Sequence, residues 1–362
     1  MVKVNPSFWK NKKILLTGHT GFKGSWLLIW LLEMGADVYG FSDKYEKDSL
    51  FDTLLKQGSI ALDNQNWRHF EHDLLDKEVL NKIVNLCNPD IVIHMAAQAI
   101  VRESYKNPLN TWNINVNGTL NLLNALESNN KKCSTIIVTT DKVYENVEDY
   151  KVFKENDKLG GHDPYSASKA SVEIAVASWR NSFLKNKNLN CNIATARAGN
   201  VIGGGDNSKD RIVPDVVNAL LRGRKIKVRN PYSLRPWQHV LESLNGYLIL
   251  CEKLYFDNDH ILDSFNFGPD TTNSKTVKDL VNEIIKYWDG EWENYNNEDG
   301  FFEAKSIKLD ISKSKELLGW KPSWDFENTV EKTIMWYKDV CLHQKSAFQA
   351  CLDDINSFIQ KN

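Results

Sequence analysis

Lys13-Ile14-Leu15-Leu16-Thr17-Gly18-His19-Thr20-Gly21-Phe22-Lys23-Gly24 is the stretch on which the fold turns. Its first five residues read as a short buried strand. Ser25 to Met34, which follows, is apolar nearly all round, as expected of a helix packed beneath other elements. The glycines between them are spaced Gly-x-x-Gly-x-x-Gly, not Gly-x-Gly-x-x-Gly. Such a loop lets the backbone turn tightly and approach a pyrophosphate, whose charge then meets the unpaired amides and positive dipole of the helix start. Strand, glycine loop and helix in this order predict a dinucleotide site at Gly18, Thr20, Gly21, Phe22, Lys23 and Gly24. A second strand, Val38 to Phe41, ends at Ser42-Asp43, about where such a site places the carboxylate that bonds an adenosine ribose. Asp43 on the 2′-hydroxyl would repel a 2′-phosphate and favour NAD over NADP. Ser42 could hold that position instead, leaving Asp43 a solvated loop residue.

Outward from this unit, strand-like apolar runs recur at 14–17, 38–41, 91–94, 135–139 and 192–196, separated by helical patterns at 24–34, 76–87, 108–128 and 164–185. The alternation predicts an α/β fold: a doubly wound parallel Rossmann-type sheet with helices on both faces and ligands at the carboxyl ends of the strands. Beyond residue 197 the chain is richer in turns, and a second, smaller α/β substrate-binding lobe is expected. The predicted division gives residues 1–196, with 236–262 returning, to the NAD-binding domain, and 197–235 and 263–342 to the lobe. Residues 343–362 form a weakly amphipathic C-terminal helical tail.

The chemistry is expected at two motifs, Thr140-Asp141-Lys142 and Tyr165-Ser-Ala-Ser-Lys169. Residues four apart lie on one helix face, so Lys169 can set its ammonium beside the Tyr165 phenol. A cation there favours phenolate and makes the phenol a usable base near neutrality. Thr140 adds a hydroxyl, and Asp141 and Lys142 add two further proton-handling groups. Tyr-x-x-x-Lys alone occurs in many surface helices; its weight comes from the glycine loop upstream. Arg211 and Arg235 are candidates for a substrate pyrophosphate, which guanidinium forks pair well. His94, at a strand end, reads as a packing and hydrogen-bonding residue, and Asn115 as a bracket for the strand ends.

The 362 residues are 42% hydrophobic, ample for a core, and the net charge of −2 gives no electrostatic case for nucleic acid or an anionic membrane. No apolar run is long enough to span a bilayer, and Met1-Val-Lys-Val-Asn5 lacks a secretory segment, so a soluble cytoplasmic protein is expected. The six cysteines include no Cys-x-x-Cys pair and should be reduced and mostly buried. Neither they nor the eight histidines suggest a bound metal.

Together these residues resemble the extended short-chain dehydrogenase/reductase family along nearly the whole chain. The shared features include Thr17-Gly18-x-x-Gly21-x-x-Gly24, Asp73-Leu74, His94-x-Ala96-Ala97, Tyr165-x-x-x-Lys169, Arg235-Pro-Trp-x-His-Val240 and Leu318-Gly319-Trp320-x-Pro322. Within the family, Gly18-His-Thr-Gly-Phe-Lys-Gly24, Thr140-Asp-Lys142, Ala198-Gly-Asn-Val-Ile-Gly-Gly-Gly-Asp206 and Arg235-Pro-Trp-Gln-His-Val-Leu-Glu242 are similar to the nucleotide-sugar 4,6-dehydratases. The resemblance implies an internal redox cycle with NAD as cofactor and CDP-glucose as substrate, giving a 4-keto-6-deoxy sugar for a surface polysaccharide. It implies Asp73 on the adenine amino group, Leu74, Ala96 and Ala97 along the cofactor, Lys169 on the nicotinamide ribose and Asn200 on the substrate. It also implies a homodimer, or a tetramer of dimers, paired through the helices near 108–128 and 164–185. The departure is Lys142, where related dehydratases carry a glutamate base; a lysine would need burial or neighbouring cations to act as a neutral amine, or would stay charged and stabilise the enolate. A 4-epimerase and a noncatalytic dinucleotide-sensing scaffold are the competing functions.

Overall fold

The computed structural model describes residues 2–361 apart from 62, 65, 128, 130, 148–150, 185–189, 260, 271–273 and 296–305. The C-terminal ends of the predicted helices 108–128 and 164–185 and of the tail therefore lie outside the described residues. So do parts of the predicted lobe.

Seven parallel strands form the central sheet among the described residues: β1 (Lys13–Thr17), β2 (Asp37–Ser42), β3 (Trp67–Glu71), β4 (Ile91–His94), β5 (Cys133–Val138), β6 (Cys191–Ala198) and β7 (Ser264–Phe267). Their spatial order is β7-β6-β5-β4-β1-β2-β3, and Asp63–Asn64 adds an antiparallel edge to β3. The chain reverses direction across the sheet between β1 and β4, which opens a crevice at their carboxyl ends. β1 and β4 are nearly continuous apolar runs, and β5 and β6 are buried along their whole length, as strands covered on both faces are. Two strands escaped the sequence reading. β3 carries Arg68, His69 and Glu71 and shows no apolar run, while Ser264-Phe-Asn-Phe267, expected within the smaller lobe, pairs in register with Thr195–Ala198 of β6. Phe265 and Phe267 are fully buried there, so the central sheet takes the segment.

Helices α1 (Phe22–Glu33), α2 (Lys77–Cys87), α3 (Gly118–Leu126) and α4 (Pro164–Trp179) cover the sheet. The predicted helix at 108–128 is interrupted: Pro108–Trp112 passes through a π-turn at Asn113–Asn117 before α3 begins. The wider turn carries Asn115, whose side chain accepts from the Gln98 amide (2.8 Å) and donates to the Gln98 carbonyl (3.1 Å) and Ser168 (2.9 Å). It ties the β4 loop to α4.

After β6, α5 (Ile212–Leu221) and α7 (Val277–Tyr287) stand with short strand pairs, Ile226–Val228 on Trp292–Asn294 and Leu234–Arg235 on Lys275–Thr276. α6 (Val240–Tyr255) is buried along nearly its whole length and packs on β5, β6 and α1. α9 (Ala347–Lys361) packs on both α8 (Phe326–Cys341) and α1, and its Phe358 sits edge-on to both Trp30 (6.0 Å) and Trp324 (5.2 Å). Cys341 is exposed and the other five cysteines are buried, none in a disulfide. Among the described residues no helix is long and apolar enough to cross a membrane, and no cluster of ligating side chains could hold a metal.

Candidate active site

The glycine loop closes because two of its glycines have no room for a side chain. Gly18 adopts φ +73°, and a Cβ there would lie 2.6 Å from the Ala96 nitrogen; one on Gly24 would lie 2.1 Å from the Gly18 carbonyl oxygen. Gly21 differs: it is exposed, and a Cβ would come no nearer than 3.5 Å to the protein. The protein's own packing demands the first and third glycines, and the second leaves the helix start open to a close approach from outside. Thr17 fixes the neighbouring strand end, its hydroxyl accepting from the Met95 and Ala96 amides (both 3.2 Å) and facing His94 Nδ1 at 2.7 Å. His94 Nε2 lies 3.0 Å from the Thr119 hydroxyl, and burial drives its pKa to about 3. His94 is a neutral bracket, as its sequence context indicated.

Thr20 meets Ser42 across the crevice, hydroxyl to hydroxyl at 2.6 Å, with both buried. Asp43 lies just past β2, exposed, its carboxylate accepting from the Lys44 amide at 2.7 Å. Asp73 is likewise exposed and caps the Leu75 amide at 2.9 Å, while Leu74 is buried against Gly118.

A cavity of about 890 Å³ opens over the ends of β5 and β6. Its walls bring together the five predicted catalytic residues, Phe22, Lys23 and Ala97 from the cofactor side, and Asn200, Arg211 and Arg235. The other predicted cofactor residues, Gly18, Thr20, Gly21, Gly24, Asp43, Asp73, Leu74 and Ala96, do not line it.

The single helical turn Asp141–Val143 follows β5, and Thr140, Asp141 and Lys142 line the cavity while Val143 is buried in the core. Asp141 is fully buried; its Oδ1 accepts from the Thr140 hydroxyl (3.0 Å) and from Lys142 Nζ (2.8 Å). Its Oδ2 has no hydrogen-bond partner among the described residues. Gly199 leaves space beside that buried oxygen, since a Cβ there would sit 3.1 Å from it. No motif drew attention to Gly199 individually, because its requirement is a through-space contact. The Lys142 side chain is 29% exposed and ion-paired, not sequestered as a neutral amine would require.

Tyr165 is buried, which raises the phenol above its ordinary value. The strongest effect opposing burial is the charge of Lys142, followed by a hydrogen bond with Thr140. Sequence spacing gave that part to Lys169. Lys169 Nζ instead donates to the Val138 carbonyl (3.1 Å), and burial brings its pKa down to about 8 against the pull of Glu173. Lys23 donates to the Tyr247 hydroxyl (3.2 Å); burial first, then Arg211 and Lys169, bring it to about 7. Tyr247, on α6, is a site neighbour that sequence reading missed within an otherwise apolar helix. Arg211 pairs with Asp206 at 3.0 Å, and Arg235 is buried, donating to the Leu234 carbonyl at 2.9 Å. The Asn200 side-chain oxygen is buried without a partner among the described residues.

A doubly wound sheet, a glycine loop at its switch point and a Tyr-x-x-x-Lys helix beside a polar cavity define a nucleotide-dependent enzyme class. A family model described as GDP-mannose 4,6 dehydratase matches residues 15–333, and the chain belongs to that family. More particularly, it is 40% identical to the CDP-glucose 4,6-dehydratase of Salmonella typhimurium, over 92% of this chain and 93% of that protein. A dTDP-glucose 4,6-dehydratase of Escherichia coli is 25% identical over 90% of this chain and 92% of its own. Among solved structures, the dTDP-glucose 4,6-dehydratase of Bacillus anthracis in complex with NAD superimposes with a TM-score of 0.74 at 22% identity, covering 90% of this chain and 96% of that one. The epimerase Mth375 of Methanothermobacter thermautotrophicus gives 0.78 at 21%, covering 94% and 96%. The two solved structures share the fold.

Proposed function

We propose that this protein is an NAD-dependent 4,6-dehydratase that converts CDP-glucose to CDP-4-dehydro-6-deoxy-glucose. The observation that carries the reading is Asp141. Its buried Oδ2 lacks a partner among the described residues, while Oδ1 is held by Thr140 and Lys142 in the cavity that also holds Tyr165. An epimerase needs no such acid beside its tyrosine. The cytidine base and the glucosyl group rest on the 40% identical relative.

The glycine loop fits a dinucleotide: Gly21 leaves the helix start open, and Thr20 and Ser42 meet beside it. Gly18, Thr20, Gly21, Phe22, Lys23 and Gly24 would hold the pyrophosphate side, Asp43, Asp73 and Leu74 the adenosine, and Ala96, Ala97, Tyr165 and Lys169 the nicotinamide end. When bound, the nicotinamide supplies reversible storage of the C4 hydrogen with its electron pair. Tyr165 accepts the proton of the sugar 4-hydroxyl, and Thr140 holds that oxygen. The Lys142 charge beside Tyr165 then stabilises the oxygen as the neighbouring C5–H bond breaks. We assign Lys142 this electrostatic role and not that of the neutral base, because its ammonium is paired with Asp141 and partly exposed. Asp141 carries the C5 proton to the departing C6 hydroxyl, so one water leaves; the C4 hydrogen with its electron pair would then return to C6 and a proton, matching the one Tyr165 took, to C5, which gives the 4-dehydro-6-deoxy sugar. Asn200, Arg211 and Arg235 bind the diphosphate and sugar.

We further infer a homodimer, supported by exposed apolar side chains on the helices flanking the site (Leu109, 79%; Ile174, 59%), and a cytoplasmic place in making a deoxysugar for surface polysaccharide. The deciding experiment incubates the protein and NAD with CDP-, dTDP-, UDP- and GDP-linked hexoses and follows mass. Loss of one water from CDP-glucose is expected. Conversion of another nucleotide sugar would overturn the base assignment, and no mass change with any would return the epimerase and the scaffold.

A further inference from the structure

Behind the catalytic turn lies a buried polar network that the reaction scheme does not use; Thr139 and Tyr144 reach the cavity wall, and Glu173, Thr195 and Arg197 lie behind it. Its centre is Glu173 on α4, one turn beyond Lys169 and 4% exposed. One carboxylate oxygen accepts from the Thr139 hydroxyl (2.5 Å), the other from the Thr195 hydroxyl (2.7 Å) and from Arg197 Nη2 (2.8 Å). Arg197 continues the chain, donating to the Tyr144 hydroxyl (2.8 Å) and the Glu155 carbonyl (2.9 Å), and Tyr144 donates to Asn266 Oδ1 at 2.6 Å. The network therefore grips the chain on both sides of Thr140-Asp141-Lys142, at Thr139 before the turn and at Tyr144 after it. Successive turns of α4 engage the last residue of β5 and the one after it: Lys169 bonds the Val138 carbonyl and Glu173 the Thr139 hydroxyl.

A buried carboxylate paired with one arginine and two hydroxyls costs desolvation, and an apolar cluster could fill the same space without it. Its placement gives a reason for its presence. We propose that Glu173 is a positioning residue for this site: it locks the Thr140–Lys142 turn to the helix bearing Tyr165 and Lys169, and supplies the counter-charge to the Lys169 ammonium. The role of that turn rests on the dehydratase reading given above. Glu173 itself reaches neither substrate nor cofactor, since it does not line the cavity.

Around Lys169 the charged and titratable groups are Glu173 and Tyr165 on its own helix, Lys23 from α1 and His94 from β4. His94 is neutral through burial, and Lys23 opposes the Lys169 charge. Glu173 raises the Lys169 pKa, so removing its charge lowers it, and Lys169 loses its proton at lower pH.

The test uses Glu173→Gln, Glu173→Asp and Thr139→Val in the full chain, each checked for folding by circular dichroism. With CDP-glucose and NAD, Glu173→Gln should lower kcat by about 10–100-fold with KM changed far less, and the alkaline limb of the pH profile should move to lower pH. Glu173→Asp should return the limb toward its original position with only partial recovery of kcat. Thr139→Val keeps the ion pair; it should lower kcat and leave the limb in place. Independently of turnover, acetylation of Lys169 by acetic anhydride, read by peptide mass spectrometry against pH, should show its midpoint lowered in Glu173→Gln alone. Should Glu173→Gln not fold, kcat of Thr139→Val decides the proposal. Unchanged kcat in Thr139→Val, or an unshifted acetylation midpoint in a folded Glu173→Gln, overturns the proposal. An active wild type with these negative results removes Glu173 and leaves the dehydratase reading standing. An inactive wild type removes that reading, and the acetylation midpoint still decides the charge of Glu173.

Discussion

Asp141 and Lys142 share one ion pair, and their substitution should separate the two halves of the reaction. Asp141→Asn removes the proton carrier but keeps the size of the side chain. C4 oxidation should persist, seen as absorbance of the reduced nicotinamide, while loss of water falls by about 10²–10⁴-fold. Lys142→Met removes the largest charge opposing burial at Tyr165, so the phenol's pKa rises further. The base must be deprotonated to act, so the acid limb of kcat/KM should shift to higher pH, and elimination should slow as well. Unaltered water loss in Asp141→Asn would discard the acid role, and an unmoved acid limb in Lys142→Met would discard the electrostatic one. These residues were legible in the sequence as a triplet after a strand. Their pairing was not, because spacing along a chain does not say which of two lysines, 142 or 169, meets the phenol.

At the scale of elements, the strand–glycine–helix unit was read directly from the sequence, since a buried strand and an apolar helix each declare their period locally. The polar strand β3 and the short Ser264–Phe267 strand were missed because only their neighbours in the sheet make them strands. The π-turn at Asn113–Asn117 was missed for a related reason: Asn115 is drawn into the wider turn by Gln98 and Ser168, which lie far along the chain. The glycine loop supplies a contrast that sequence spacing alone does not. Gly24→Ala would press a methyl group against the Gly18 carbonyl and should destabilise the fold by about 1–3 kcal/mol or more, lowering the melting temperature even without cofactor. Gly21→Ala has space within the protein, so its melting temperature should hold while NAD binding by calorimetry weakens. Equal effects of the two on stability would mean that Gly21 serves only the turn.

Across the whole molecule, α8 and α9 are joined to the site through packing: Phe358 lies between Trp30 and Trp324, and Tyr337 donates to the Asp206 carbonyl (2.7 Å), whose carboxylate pairs with Arg211. Phe358→Ala should cost about 3–5 kcal/mol in urea unfolding, although it lies far from the chemistry. Acid should unfold the protein cooperatively. Burial brings His19, His94 and His239 each to about 3, so between there and the ordinary histidine value the unfolded chain binds more protons and stability falls as pH falls. Three such groups give a slope on the order of 4 kcal/mol per pH unit, measurable by urea titrations across that window. The helix α4 carries Tyr165, Lys169 and Glu173 on successive turns, bonded to consecutive residues at the end of β5. Its length is therefore closed to change even where its outer residues are not. One inserted or deleted residue would rotate every contact by a quarter turn or more, so this chemistry can diversify through point changes at 140–142 but not through insertions in the helix above them.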